Sequence, residues 1–263
     1  MKNVQVIKVG GGVLKDAAKR ADFLKCFAQI NGSKILVHGG GREATEWGNK
    51  LGVSANMIDG RRITDDSYID IVTMVYGGLV NKQLMADLQS LGCQSLGLTG
   101  ADANLILSEK RPIKNGIDFG WVGDPVSVQK DVLIDLLRKG ITPVIAPLTH
   151  DGKGHLLNTN ADTIAMVIAA ALQSDYHVQM VYAFELAGVL EDITNPDSLI
   201  HRMDAHSFQQ LKDQGKIFDG MIPKLENAFR AIKQGISAVK IVKYDSLAQL
   251  NDAAFTSYTH ITS

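Results

Sequence analysis

The 263 residues are enough for one large α/β domain or for two lobes sharing a sheet, and either can bury a substantial core. Apolar residues make up 45% of the chain and charged residues 21%, ordinary proportions for a globular protein. Lys and Arg number 27 against 28 Asp and Glu, and a net charge of −1 offers no basic surface for nucleic acid or an anionic membrane.

The chain opens directly on an apolar strand, VQVIKV (4–9), with no leader-like region before it, so no signal peptide is expected. An amphipathic helix over 17–30 and a strand KILVH (34–38) follow. A long helical region covers 66–91, with Ile69, Val72, Val75, Leu79 and Leu84 at helical spacing. SLGL (95–98) and LILS (105–108) read as short strands, and 110–126 as a hairpin-rich segment. A helix over 128–138 ends before Gly140, the strand TPVIAPL (142–148) comes next, and a very apolar helix spans 161–173. A second series then begins: strand VQMVYAF (178–184), helices near 204–214 and 221–234, strand AVKIV (238–242) and a last helix near 246–252.

This alternation predicts a mainly parallel sheet with helices on both faces. The expected lobe boundary lies at Ser174–Asp175, dividing the chain into 1–174 and 175–263 with a cleft between. The longest apolar stretch, 164–172, is far too short to span a bilayer. Cys26 and Cys93 sit in apolar contexts and read as buried structural thiols in a reducing cytoplasm, not as a disulfide or a nucleophile.

Two strands end in triple glycine, IKVGGG (7–12) and LVHGGG (36–41). Three glycines in a row cost folding entropy, so such a strand end needs a reason. A tight turn is one. Phosphate binding is another, because bare backbone amides and the next helix N-terminus approach an anion closely. Two such loops at the carboxyl ends of neighbouring strands favour binding, since ligands sit there in open α/β sheets. No stretch fits G-x-x-x-x-G-K-[ST]. The dinucleotide fingerprint fails too, because the last glycine is missing from the first loop and the next strand ends at His38 instead of an acid.

Lys8 sits inside an apolar strand just before the first loop, where a cation is costly unless an anion meets it. Asn158, Asn160 and Asp162 cluster at the start of the helix over 161–173, and an N-cap accounts for only one of them. A glycine turn, Asp219-Gly220-Met221, starts a helix and puts Lys224 in its first two turns. The seven histidines are scattered, and only His38 has a site-like position, where it reads as shaping the loop.

Together these segments resemble the amino acid kinase family, and within it the subfamily that phosphorylates N-acetylglutamate in arginine biosynthesis. The likeness covers nearly the whole chain: IKVGGG, LVHGGG, DGRRIT (59–64), MVYGGLVNKQL (74–84), GLTGADANLI (97–106), VGDPVSV (122–128), LLNTNAD (156–162), a weaker FELAGVL (184–190) and DGMIPKLENA (219–228). The resemblance implies a three-layer αβα sandwich, an N-terminal lobe that binds the acyl amino acid and dimerises, and a C-terminal lobe for ATP. It also implies Mg2+ held mainly through nucleotide phosphates, with no dedicated metal-ligand set, and a cytoplasmic homodimer. Lys8 and Lys224 would flank the transferring phosphoryl group, with Asp162 holding both lysines. Gly10, Gly11 and Gly12 would contact ATP phosphates. Gly40, Gly41, Arg62, Asn158 and Asn160 would hold the acylated glutamate, the planar Arg62 fork clamping a carboxylate. Glu185, Gly188, Asp219, Gly220 and Met221 would face the adenosine.

The implied chemistry is ATP-dependent phosphorylation of a γ-carboxylate. Such a carboxylate is already ionised at neutral pH, so no general base is required. The obstacle is two anions approaching each other, which repel by roughly 4 kcal/mol at ~4 Å and an effective dielectric of 20. Catalysis is then positioning plus positive charge, and Asp162 reads as an organiser, not a base. The chain departs from the family at FELAGVL, where Glu185 follows Phe184 instead of a Thr-Asp or Ser-Asp pair, and at YTHI (258–261), where many relatives carry Gly-Thr. No extra helix precedes the first strand, so arginine feedback is not expected. N-succinylglutamate as acceptor, other substrates of the family, and a catalytically silent sensor of the same fold are the competing readings.

Overall fold

Six consecutive buried positions, Val4 to Val9, mark the first strand as one covered on both faces. The computed structural model describes residues 1–58, 60–217 and 221–262, apart from the Pro223 side chain. In it this strand, β1 (Lys2–Val9), runs through the interior of an eight-stranded sheet. After it come α1 (Gly11–Lys15), α2 (Ala17–Ala28), β2 (Ser33–His38) and α3 (Gly41–Lys50). A small hairpin, β3 (Met57–Ile58) and β4 (Arg61–Arg62), leads to α4 (Asp66–Val72), a π-helical segment over Thr73–Val80, and α5 (Asn81–Ser90). Next are β5 (Ser95–Leu98), β6 (Ile106–Lys110), β7 (Gly123–Val128), α6 (Lys130–Arg138), β8 (Thr142–Ile145), β9 (Leu148–His150), β10 (Leu156–Asn158) and α7 (Ala161–Leu172). The rest holds β11 (Tyr176–Phe184), β12 (Arg202–Met203), α8 (Ala205–Asp213), α9 (Ile222–Lys233), β13 (Ala238–Lys243) and β14 (Tyr258–Ile261).

The main sheet has the order β12-β14-β13-β11-β1-β2-β8-β5, and within it only the β13–β14 pairing is antiparallel. Period two along β1 sends Val4 and Val6 to one face and Ile7 and Val9 to the other. The first face packs on Ile164, Ile168 and Leu172 of α7 and on Leu225 and Ala228 of α9. The second packs on Phe23 and Phe27 of α2, Ile71 of α4 and Leu84 of α5. The result is the three-layer αβα sandwich with a mainly parallel sheet that the strand–helix alternation implies.

Three local features differ from expectation. The segment beginning at Ile106 leaves the main sheet and joins a smaller one, β10-β9-β6-β7. The helix over 66–91 contains a π-helical stretch around Gly77-Gly78, in which the Asn81 N–H bonds the Tyr76 carbonyl five residues back. The last helix is a single 3₁₀ turn, Leu247–Asn251, followed by the unanticipated strand β14. At the amino end of β2, Lys34 Nζ donates to the carbonyls of Phe27, Ala28 and Ile30 at 2.8–2.9 Å, satisfying the carboxyl end of α2. No described helix is long and apolar enough to cross a membrane.

Candidate active site

β1, β2 and β11 run parallel in register, Lys8 opposite Val37 and Tyr182, so their carboxyl ends and the glycine loops open on one edge of the sheet. Period two turns Lys8 to the same face as Val4 and Val6, toward the amino end of α7. There Asp162 meets it, Oδ1 at 2.7 Å from Nζ, with both side chains largely buried. Asn160 caps this helix: its Oδ1 accepts from the Asp162 and Thr163 amides at 2.8 and 3.1 Å, which fixes the turn carrying Asp162. A buried pair of this kind is expensive to break, because removing one partner strands the other charge at a cost of roughly 3–5 kcal/mol.

Lys224 reaches the same cleft from α9, and its Nζ lies 4.2 Å from the centre of the Phe184 ring. Burial pushes its pKa down, as does the charge of Lys8, against the attraction of Asp162 and Glu185. Together with Gly10, Gly11, Gly12, Arg42, Glu185 and Met221, the two lysines line a cavity of ≈ 510 Å³. A second cavity of ≈ 480 Å³, walled by Val189, Leu190 and Ile217, shares Leu186, Ile193 and Met221 with the first. Glu185 is paired with Lys19 of α2 across the rim. A Cβ at Gly12 would come within 3.0 Å of the Glu185 carboxylate.

The second glycine loop is tied to the first by a Gly39 amide bond to the Val9 carbonyl, 3.0 Å. His38, on the opposite face from Lys8, is fully buried; its Nδ1–H donates to the Gly39 carbonyl at 2.8 Å. Its Nε2 accepts from Asn81 Nδ2 at 3.1 Å, and the same amide donates to the Val144 carbonyl. These partners demand a neutral ring, and burial holds the pKa of His38 at about 4. Tyr76 packs so closely that a Cβ at Gly40 would lie 2.7 Å from its ring. The π-helical step aims Tyr76 and Asn81 at the same loop. Arg62 Nη2 donates to the Gly41 carbonyl (2.9 Å) and Thr45 Oγ1 (2.8 Å), and its guanidinium lies over Tyr68. Among the described residues the buried Arg62 Nη1 has no hydrogen-bond partner.

The structure thus brings Lys8, Asp162, Lys224, Gly10–Gly12, Glu185 and Met221 around one cleft, and gathers Gly40, Gly41 and Arg62 at its neighbour. Asn158 donates to Thr64 Oγ1 at 2.9 Å beside them, while the Asn160 oxygen is occupied by capping. Among the described residues Asp162 pairs directly with Lys8, and Lys224 rests on Phe184 instead of on the shared carboxylate. Gly188 is required by packing, since a Cβ there would lie 2.4 Å from Thr259 Oγ1, which accepts from the Val189 amide at 2.8 Å. Asp219 and Gly220 lie outside the described residues. Sequence reasoning missed the site roles of Arg42, Glu43, Tyr76 and Asn81. Arg42 and Glu43 directly follow the glycine triplet, and Tyr76 and Asn81 belong to MVYGGLVNKQL, so the signal was proximity to a motif.

An edge of bare glycine loops beside two lysines suits phosphate groups, and so a phosphotransferase. The chain belongs to the amino acid kinase family, whose model matches residues 3–243. It is 54% identical to the acetylglutamate kinase of Cytophaga hutchinsonii over 95% of both chains. It is 51% identical to that of Bacteroides thetaiotaomicron, over 91% of this chain and 93% of the relative. Among solved structures, carbamate kinase from Giardia lamblia bound to AMP-PNP shares the fold at a TM-score of 0.69 and 13% identity, covering 100% of this chain and 99% of its own.

Proposed function

We propose that the chain transfers the γ-phosphoryl group of ATP to the γ-carboxylate of N-acetyl-L-glutamate, giving N-acetyl-L-glutamyl 5-phosphate, the second step of arginine biosynthesis. The observation that carries this reading is the buried Lys8, paired with Asp162, lining the same cleft as Lys224. The names of the relatives point to the same acceptor.

In this reading the ATP phosphates lie along Gly10–Gly12 and the base enters the adjoining apolar cavity. Residues 175–263 form the ATP-binding lobe and residues 1–174 the acceptor lobe, which also lends the Gly10–Gly12 loop to the phosphates. The free Nη1 of Arg62 takes a carboxylate of the acceptor, while the Gly40 and Gly41 backbone receives the reacting one. Lys8 and Lys224 stabilise charge that spreads over the phosphoryl oxygens in flight. Asp162 fixes Lys8 and abstracts nothing, because the acceptor is already an anion.

Magnesium bound to the nucleotide would supply further positive charge at the phosphates. Among the described residues no three His, Cys, Asp or Glu side chains converge on a metal-sized site. Asp162 and Glu185 are engaged by lysines, which accords with an ion held by phosphate oxygens. A homodimer belongs to the same reading: Met74, Leu79 and Leu96 are exposed on the π segment and on the edge strand β5. The two free thiols accord with a cytoplasmic setting.

Trapping the acyl phosphate with hydroxylamine tests the proposal, using N-acetyl-, N-succinyl- and free glutamate as acceptors. ATP-dependent hydroxamate formed fastest with N-acetylglutamate is the expected result. Preference for the succinyl compound would reassign the acyl group. No product with any acceptor would overturn the kinase reading in favour of a binding module.

A further inference from the structure

Lys8 and Lys224 line the same cavity, yet they are held in different ways. Lys8 has a carboxylate at 2.7 Å. Among the described residues no carboxylate lies within 4.0 Å of Lys224; its ammonium sits instead over the Phe184 ring, 4.2 Å from the centroid and well inside the range of a cation–π contact. That ring is itself immobilised. It is buried, and it stacks on Tyr182, two residues earlier on the same face of β11, at 5.9 Å and an interplanar angle of 6°.

We propose that Phe184 is a positioning residue for phosphoryl transfer: the face of its ring holds the Lys224 ammonium at the carboxyl end of β11. The proposal rests on the reading of Lys224 as a transfer lysine. The choice of a ring has a physical consequence. A carboxylate would orient Lys224 equally well, but it would also cancel its charge and repel the incoming phosphate. The negative face of an aromatic quadrupole attracts the ammonium without adding an ion. Lys8 has Asp162 as a direct counter-ion, whereas no carboxylate among the described residues pairs directly with Lys224. The other charged groups acting on it are Lys8 and Arg42, which repel, and Asp162 and Glu185, which attract.

The test replaces Phe184, site-specifically, by mono-, di- and trifluorinated phenylalanines, which withdraw electron density from the ring at nearly constant shape. kcat is expected to fall progressively, about tenfold across the series, with KM for N-acetylglutamate within about twofold. Phe184→Leu should lose about as much as the trifluorinated ring, and Phe184→Tyr should stay near wild type. The ammonium pKa of Lys224, followed by NMR after reductive ¹³C-methylation in the enzyme without substrates, should fall along the same series.

A flat fluorine series in both readouts, with Phe184→Leu still impaired, would make the ring mere packing and overturn the proposal. If Lys224→Ala turns over within threefold of wild type, the underlying assignment of Lys224 fails and the proposal with it. A pKa that moves with fluorination in a protein that phosphorylates no acceptor would instead locate the failure in the kinase reading, leaving the ring no transfer step to position.

Discussion

Acidification should destabilise this fold through His38, and the size of the effect follows from its surroundings. The imidazole is wholly enclosed between the second glycine loop and α5, donating through Nδ1 and accepting through Nε2. A second ring proton would take the lone pair that the Asn81 amide needs. Its pKa of about 4 in the folded protein lies below the ordinary 6.5, which the unfolded chain recovers. A depressed folded pKa means that the unfolded state binds the proton first. The contribution is therefore fully present above about pH 6.5 and is lost as the pH falls toward about 4. At about 1.4 kcal/mol per unit, a span of about 2.5 units amounts to on the order of 3 kcal/mol. The measurement is urea unfolding of wild type and His38→Gln in parallel from about pH 7.5 to 4.5, followed by Trp47 and Trp121 fluorescence. Carboxylates common to both proteins cancel in the difference. The advantage of wild type over the variant should shrink by about 1.4 kcal/mol per unit below pH 6.5. A stability difference that stays constant across that range would refute the reasoning.

Lys8→Ala should lower kcat by roughly 10²–10³, the scale for one preorganised electrostatic group, and turnover within threefold of wild type would sink the assignment. Asp162→Asn should also slow the reaction by releasing Lys8, and its pH–rate profile should keep the low-pH limb of wild type; disappearance of that limb would make Asp162 a base. Arg62→Lys should raise KM for the acceptor by about tenfold or more with little change in KM for ATP, since an ammonium cannot keep both loop bonds and still offer a fork. Gly40→Ala places a methyl group against the Tyr76 ring and should cost about 1–3 kcal/mol of stability, read by thermal unfolding.

How much of this was legible beforehand varied with the reach of the forces involved. Apolar runs such as Val4–Val9 and the helix over 161–173 announce themselves, because burial on both faces needs consecutive apolar residues. Lys8 stood out for the same reason: a charge in such a run requires a partner, and Asp162 is that partner. What could not be read depended on contacts between distant segments. Gly188 is a glycine because Thr259, far along the chain, lies against it. The departure of β6 into the smaller sheet depends on β7 and β9 being there to receive it. The π-helical step is a local geometry, but helical periodicity over 66–91 hides it, since a single extra residue per turn barely disturbs the apolar pattern.

The charge arrangement at the cleft also accounts for how an enzyme of nearly zero net charge can gather two anions. Among the described residues the cations at the glycine loops include Lys8, Arg42, Arg62 and Lys224. Among the described residues Asp162, Glu43 and Glu185 lie close by and would nearly balance those cations. Their environments break that balance. Glu185 is engaged by Lys19, a cation outside the cleft lining, so it compensates little within it. Burial raises the pKa of the Glu43 carboxyl, one oxygen of which is enclosed near Gly11 with no partner among the described residues. Among the described residues Asp162 directly neutralises a cleft cation, and in doing so it fixes Lys8. Arg62 keeps a free nitrogen, and Lys224 is held by a ring that carries no charge. The attraction for phosphate and carboxylate therefore comes from which acids are diverted, not from an excess of basic residues, and removing a diversion should act like removing a cation. Lys19→Ala, which frees Glu185 to face the nucleotide, should raise KM for ATP although Lys19 lies outside the cavity lining; an unchanged KM would mean that Glu185 contributes no repulsion there.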